Sequence, residues 1–225
     1  MYNLIAHRGL NDKKYRENTQ DAIKDSLKEL YISGIEIDAR ITKDNKIIVI
    51  HDQTINRTSN GAGFVKNMTL KELKKYNFGT KYYDAKISTL KEILSNIKNN
   101  KIILIEIKYE GDDNKTYIKS FYHSINKFLN KNIYIMSFNH EIVKELKSTY
   151  PYLRCGLLIS KIININHLKE SYDFIAISSY SIKKVASYKK TIFVWGIQGK
   201  KHYQSIRKTA SKDTYYIVNK PKNYI

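Results

Sequence analysis

Eight short runs rich in Ile, Val, Leu and Phe recur along this 225-residue chain, and most are separated by amphipathic segments. The runs are Asn3–Ala6, Gly34–Asp38, Lys101–Ile107, Ile133–Phe138, Arg154–Ile159, Phe174–Ile177, Thr191–Trp195 and Tyr215–Val218. Between them, apolar residues fall at helical spacing. Ala22, Ile23, Leu27 and Leu30 form one stripe, and Leu90, Ile93, Leu94 and Ile97 another. Ile118, Phe121, Tyr122, Ile125 and Phe128 form a third, and Ile142, Val143 and Leu146 a fourth. Continuously apolar strands joined by helices imply a parallel sheet covered on its faces. Eight such units predict an α/β chain folded as a (β/α)8 TIM barrel. A doubly wound open sheet shares the alternation, and closure is not written in the pattern. One interval breaks the rhythm, with a hairpin signal at Lys43-Asp44-Asn45-Lys46, the run Ile47–His51 and a polar stretch over 53–67. The expectation is a single domain over 1–225 with a small insertion after strand 2, at about 40–88.

Composition narrows the setting. Hydrophobic residues make up 42% of the chain, which supports a packed core and excludes a disordered polar chain. No apolar stretch reaches the length of a membrane span. The first residues read as a strand and not as a secretory leader. Cys155 is alone and sits in an apolar run, so it reads as a buried structural thiol in a reducing compartment, and a cytoplasmic location is expected. The formal charge of +19, from 40 Lys+Arg against 21 Asp+Glu, attracts anions. Nucleic acid, an anionic lipid surface and phosphate-bearing small molecules all satisfy it. A bias toward Lys, spread along the chain, accounts for it equally well.

Chemistry concentrates in the first half. Strand alternation puts Glu36 and Asp38 on one face, with Ile35 and Ile37 on the other. Glu106 and Lys108 share a face by the same rule. Three carboxylates converging inside a barrel repel one another and are costly to desolvate. A divalent cation resolves that conflict, and an all-oxygen set suits Mg²⁺ or Ca²⁺. The competing reading pairs each carboxylate with Lys108, Arg8 or Arg40. His7 and His51 each close an apolar run, where barrel enzymes carry catalytic groups, and suit acid–base work near neutral pH. Arg8 offers a planar fork for phosphate. His123, His140, His167 and His202 lack such company and read as structural or exposed.

The ordered set His7-Arg8-Gly9, Glu17-Asn18-Thr19, Glu36-Ile37-Asp38, Thr42-Lys43-Asp44, His51-Asp52, Arg57-Thr58 with Gly61 and Gly63, Ile105-Glu106-Ile107-Lys108, Ser137-Phe138 and Val194-Trp195 resembles the glycerophosphodiester phosphodiesterase family. The match runs from residue 5 to about 221 and is most specific in the first hundred residues. The resemblance implies a barrel with an insertion after strand 2. It implies a metal held by Glu36, Asp38 and Glu106, and His7 and His51 as the acid–base pair. It gives Arg8 and Lys108 to the phosphate, Glu17 to the orientation of Arg8, and Trp195 to the glycerol end of the substrate. A packed barrel residue is the other reading of Trp195.

The chain departs from the family at Arg16, where proline is usual, at Gly196-Ile197-Gln198 after the tryptophan, and at Val218-Asn219-Lys220-Pro221. These positions bear on substrate identity more than on reaction type. The implied activity is metal-dependent hydrolysis of a small glycerophosphodiester to glycerol 3-phosphate and an alcohol. A related diesterase acting on a polymeric, teichoic-acid-like chain or on a lysophospholipid is the alternative. The intact metal-and-histidine set argues against a nucleic-acid binder, while peripheral contact with anionic surfaces fits the charge.

Overall fold

The computed structural model describes residues 2–10, 13–109, 111, 113–161, 172–185 and 187–225. Its strands are β1 (Leu4–His7), β2 (Ile32–Ile41), β3 (Ile47–Val49), β4 (Ile102–Ile107), β5 (Ile133–Ser137), β6 (Cys155–Ile159), β7 (Phe174–Ser178), β8 (Thr191–Trp195) and β9 (Thr214–Val218). The helices are α1 (Gln20–Lys28), α2 (Leu70–Leu73), α3 (Leu90–Asn96), α4 (Asn114–Ile125), α5 (His140–Thr149) and α6 (Gly199–Arg207). Eight strands pair in parallel in the order β1, β9, β8, β7, β6, β5, β4, β2, and β1 pairs back onto β2. The sheet is therefore closed, and the TIM barrel displaces the open-sheet alternative.

Alternation divides the strand residues cleanly. Ile35, Ile37, Ile103, Ile105, Ile135, Ile175 and Val194 face outward, packing with α1, α3, α4 and α5 in one large core. Ile5, Leu104, Met136, Leu158, Phe174, Phe193 and Ile217 fill the barrel interior. Phe174, Phe193 and Tyr134 meet there edge to face, with ring centroids 5.3 Å apart, a geometry that suits their quadrupoles. Small residues make room for these rings. A Cβ on Gly156 would lie 2.6 Å from the Phe174 ring, and one on Gly34 would lie 2.3 Å from the Ile102 carbonyl oxygen.

Local signals set the helix starts. Thr19 caps α1, and Thr89 with Glu92 forms a reciprocal capping box on α3. One expected stripe member departs from its place. Leu30 lies two residues past the end of α1 and is 98% exposed. After β7 a 3-10 segment, Ser179–Val185, takes the place of an α-helix. Cys155 is buried, and burial pushes its thiol up to about 12, so it is a poor nucleophile. No described helix is long and apolar enough to cross a membrane.

The interval after β2 builds its own structure. β2 runs through Arg40 and Ile41, which lie opposite Ile48 and Ile47 of β3 in an antiparallel hairpin. Asn45 takes a left-handed conformation in the turn, one that asparagine tolerates better than most residues. Ile48, Ile50, Ile55, Val65, Leu73, Phe78 and Ile87 then form a small separate core. Because β3 runs antiparallel to β2, the chain returns toward the barrel mouth, and the Ile50 N–H donates to the Asp38 carbonyl at 3.0 Å. His51 follows at once.

Gly156 tests the packing account. Gly156→Ala forces its Cβ against both the Phe174 ring and the Phe174 backbone. Overpacking of this kind costs about 1–3 kcal/mol. At roughly 2–4 °C per kcal/mol for a chain this size, thermal unfolding followed by circular dichroism should show a drop of about 2–12 °C.

Candidate active site

Barrel closure puts His7 opposite Glu36 at the carboxyl end of β1. Arg8 and Gly9 follow with positive φ values of 60° and 81°. This pair of left-handed residues turns the chain sharply, so that the Arg8 N–H donates to both the backbone carbonyl (2.8 Å) and the side chain (3.3 Å) of Glu36. A Cβ on Gly9 would sit 2.9 Å from the Ala22 backbone, so the turn lies against α1 only because the residue is glycine.

Glu36, Asp38 and Glu106 point inward from β2 and β4, and one carboxylate oxygen from each lies within 4.8 Å of the others. All three are buried. Burial, then the charges of Asp38 and Glu106, hold the Glu36 carboxyl well above the usual range. Burial and Asp38 push Glu106 up to about 7 against the opposing pull of Lys108. Cations answer part of this charge. The Lys108 ammonium stands 2.7 Å from Glu106 and 3.5 Å from Asp38, and the Arg8 Nε stands 3.2 Å from Asp38. Arg40 donates to the carbonyls of His51 (2.7 Å) and Lys108 (3.2 Å). Ion pairing thus describes Asp38 and Glu106, whereas among the described residues Glu36 has no Lys or Arg side chain in ion-pair range and meets only the Arg8 N–H, at 3.3 Å, and His7, at 3.8 Å. Glu36 Oε1 and Asp38 Oδ1 are buried without a hydrogen-bond partner. Three converging carboxylates, two of them with an oxygen that lacks a hydrogen bond, fit a divalent cation, for which an all-oxygen donor set is suited.

The two histidines are held alike. The His7 Nδ1 lies 2.8 Å from Asn219 Oδ1, and the His51 Nδ1 lies 2.8 Å from Asp52 Oδ1. Both partners are acceptors at those atoms, so each ring carries its proton on Nδ1 and leaves Nε2 as the reactive nitrogen. Burial, then Arg8, lowers the His7 pKa. Burial likewise lowers that of His51, against Asp38 and Asp52, which raise it.

Glu17 lies between two guanidinium groups. Arg8 donates to it at 2.9 Å, and Arg57 donates to both its oxygens at 2.9 and 2.7 Å. Burial would raise the Glu17 pKa, but these cations bring it below the usual value. Arg57 also grips Asp52 at 2.7 and 2.9 Å and holds that carboxyl well below its ordinary range. His7, Arg8, Gly9, Glu17, Asn219 and Lys220 line an open cleft of about 450 Å³. Trp195 ends β8 with Phe138 edge-on at 5.8 Å, and its buried indole Nε1 has no hydrogen-bond partner. The ring packs against the barrel interior.

The structure thus brings the sequence-derived residues to one mouth and adds others. Asn18 donates to Asp38 Oδ2 at 2.8 Å and accepts from the Asp38 N–H at 3.3 Å. Asn219, Asp52 and Arg57 were visible as neighbours in motifs or departures, but their partners lie 212, 1 and 40 residues away. Of the remaining histidines, His140 faces the Leu158 carbonyl and His202 accepts from the Gln198 N–H. His123 lies in α4, and His167 lies outside the described residues.

Comparison with known proteins agrees with this arrangement. The profile of the Glycerophosphoryl diester phosphodiesterase family matches residues 7–209. A glycerophosphodiester phosphodiesterase of Caldanaerobacter subterraneus is 40% identical over 167 residues, covering 69% of this chain and 65% of that protein. The chain therefore aligns with just under two thirds of that relative's length. Among solved structures, an Oleispira antarctica phosphodiesterase in complex with the product sn-glycerol-3-phosphate superposes with a TM-score of 0.86 at 21% identity, over 97% of this chain and 94% of that one. A glycerophosphodiester phosphodiesterase from Thermotoga maritima gives 0.80 at 26% identity, over 99% and 96%.

Asn18 tests the charge account of the site. Asn18→Asp keeps a side chain that tolerates the residue's positive φ of 58° but sets a carboxylate against Asp38. An uncompensated buried charge costs about 3–5 kcal/mol. With roughly 2–4 °C per kcal/mol, thermal unfolding of the metal-free protein should fall by about 6 °C or more. A drop under about 2 °C would mean that Asp38 is not held as described.

Proposed function

Because the chain belongs to the glycerophosphoryl diester phosphodiesterase family, we propose that it hydrolyses glycerophosphodiesters to glycerol 3-phosphate and an alcohol. The observation that carries this reading is the barrel mouth itself. Two histidines with Nδ1 anchored and Nε2 open flank a buried carboxylate triad that has unpartnered oxygens. The product named in the Oleispira antarctica complex supports the substrate class.

Glu36, Asp38 and Glu106 would hold a Mg²⁺ or Ca²⁺ ion, which when bound neutralises phosphate charge and lowers the pKa of the attacking hydroxyl or water. Arg8, kept in line by Glu17, grips a phosphate oxygen through its fork, and Lys108 adds a point charge. One histidine Nε2 takes the proton of the nucleophile, and the other returns a proton to the departing alkoxide. The lowered pKa values of both rings keep Nε2 unprotonated near neutral pH, which suits the base. The ring that has taken the nucleophile's proton is an imidazolium, which the nearby carboxylates favour without reversing the lowered pKa. Trp195 would contact the glycerol end of the substrate. Residues 1–225 are taken as one domain, with the interval after β2 packed on the barrel. The cytoplasm, where the buried Cys155 thiol stays reduced, is the compartment assigned.

The formal charge of +19 favours one variation on this reading, an anionic polymer or a lysophospholipid as the diester. Turnover of such substrates beside the small diesters decides between the two.

The test is release of glycerol phosphate from glycerophosphocholine and glycerophosphoethanolamine, with Mg²⁺, with Ca²⁺ and with chelator. Turnover should require the cation and be lost in Glu36→Ala. His7→Ala and His51→Ala should each lower kcat by about 10²-fold or more. Near wild-type turnover in both histidine variants would overturn the assignment. In the same preparations, a cation at about a hundredfold over its Kd should add about 2.7 kcal/mol of stability to the wild type and none to Glu36→Ala.

A further inference from the structure

We propose that Arg57 is a positioning residue for this reaction, joining His51 to Arg8 through a single guanidinium, and that Arg16 holds Arg57 in place. The inference rests on the phosphodiesterase reading above. His51 lies in the interval after β2, whereas Arg8 lies at the end of β1. The main chain brings both segments to β2, where the Arg8 N–H donates to the Glu36 carbonyl and the Ile50 N–H to the Asp38 carbonyl, but it does not set the directions of the two side chains. Side-chain contacts do so, in an unbroken series from His51 to Asp52 (2.8 Å), Arg57 (2.7 and 2.9 Å), Glu17 (2.9 and 2.7 Å) and Arg8 (2.9 Å). Every link in it has a charged partner, and charge-assisted hydrogen bonds are the stronger and more directional kind. One guanidinium spans both carboxylates, which an ammonium cannot match.

The Arg8 end is also held by Asp38, at 3.2 Å, and Arg40 holds the His51 carbonyl at 2.7 Å, but the His51 imidazole itself has less restraint. The side chains of His51 and Asp52 are 31% and 26% exposed, so the imidazole depends on Asp52 for its orientation and Asp52 depends on Arg57. Without Arg57, Glu17 would lose two of its three hydrogen bonds among the described residues and keep the one from Arg8. Arg57 is itself 49% exposed along its side chain, so burial does not fix it. Its backbone is fixed instead. The Arg16 guanidinium donates to the Arg57 carbonyl at 2.7 Å and to the Gly79 carbonyl at 2.9 Å. Proline, usual at this position in the family the chain resembles, has no side-chain donor and could make neither bond. The seam continues on both sides. Thr80 donates to the Lys14 carbonyl at 3.0 Å, Tyr15 meets Tyr83 edge-on at 5.1 Å, and the Tyr83 hydroxyl bonds Asp21. The loop entering α1 and residues 79–83 are stitched together along the side of the mouth that carries both functional groups.

A purely structural role would also make Arg57 important, so the experiment separates the two. Arg57→Ala, Arg57→Lys, Asp52→Asn and Arg16→Ala are compared singly, and Arg57→Ala is combined with each of the last two. Readouts are kcat and KM on the diester the wild type hydrolyses best, the Tm, and the side-chain ¹⁵N resonances of His51. Small misplacements of catalytic groups cost up to about 10²-fold, so Arg57→Ala and Arg57→Lys should each lower kcat at least about tenfold with KM changed less than about threefold. Residues acting as a unit are non-additive, so Asp52→Asn and Arg16→Ala should add little in the Arg57→Ala background. The His51 Nδ1 signal should lose its hydrogen-bonded shift in Arg57→Ala. Ethylguanidinium, able to enter beside the exposed side chain, should restore part of kcat in that variant alone. A kcat in Arg57→Ala within about threefold of wild type, or a loss that follows Tm, adds fully and leaves the His51 signal unmoved, would overturn the proposal. Absence of turnover by the wild type would instead count against the phosphodiesterase reading. The ¹⁵N measurement needs no substrate and still decides whether Arg57 sets the His51 ring.

Discussion

Buried negative charge at the mouth of the barrel governs how this site is built. Glu36 and Asp38 stand on one inward face of β2, and Glu106 stands beside them on β4, where Asp38 and Glu106 are register partners. A carboxylate taken from water into a protein interior is expensive unless it is paired and hydrogen-bonded. The surroundings are arranged around that cost. The Asn18 side-chain amide donates to the Asp38 carboxylate and accepts from the Asp38 N–H, Lys108 reaches two carboxylates, and the turn at Arg8 and Gly9 aims a backbone N–H at Glu36. Glu36 Oε1 and Asp38 Oδ1 keep no hydrogen bond, Asp38 Oδ1 having only the Lys108 ammonium at 3.5 Å, and there a cation fits. The unusual backbone at Arg8 and Asn18, both with positive φ, lies where side chains converge on the triad. Such conformations persist when the surroundings over-determine them.

The barrel and the triad were legible because both follow from alternation. Apolar runs separated by helical stripes announce parallel strands, and a Glu-x-Asp spacing in a strand places both carboxylates on one face. Closure was not legible, since the pairing of β1 with β9 joins residues more than two hundred positions apart. Asn219 shows the consequence. In sequence it is one residue of an atypical tail, yet closure brings it to the His7 ring. Leu30 failed for a different reason. Its spacing suits the α1 stripe, but the helix ends at Lys28 and the next turn carries Leu30 into solvent. Periodicity states which face a residue would take and does not state where the helix stops. The roles of Asp52 and Arg57 escaped sequence reading because a fork bridging two carboxylates is a property of side-chain placement.

The interval after β2 has a defined part in this arrangement. β2 is ten residues long, and only its first half is shared with β1. Its last three residues, Ala39, Arg40 and Ile41, pair with β3, whose antiparallel direction returns the chain to Asp38 and delivers His51 beside the mouth. A parallel crossover would have carried the chain to the opposite end of the barrel. The hairpin therefore explains how two histidines far apart in sequence face one triad. The small core of Ile48, Ile50, Ile55, Val65, Leu73, Phe78 and Ile87 gives the hairpin a body of its own. Without it, a short two-stranded ribbon would be marginal in water.

Charge of both signs then has a division of labour. A phosphodiester is an anion, and a carboxylate triad alone would repel it. The formal charge of +19 draws anions toward the surface, but this field is screened beyond about 8 Å at physiological ionic strength. At shorter range Arg8, Lys108 and Arg57 take over, and each is tied to a carboxylate, which fixes its direction at the expense of some of its charge. Arg8 is shared between Glu17 and Asp38, and Lys108 between Glu106 and Asp38. A cation in the triad would answer the charge of Asp38 and Glu106, loosening the hold of those carboxylates on Arg8 and Lys108.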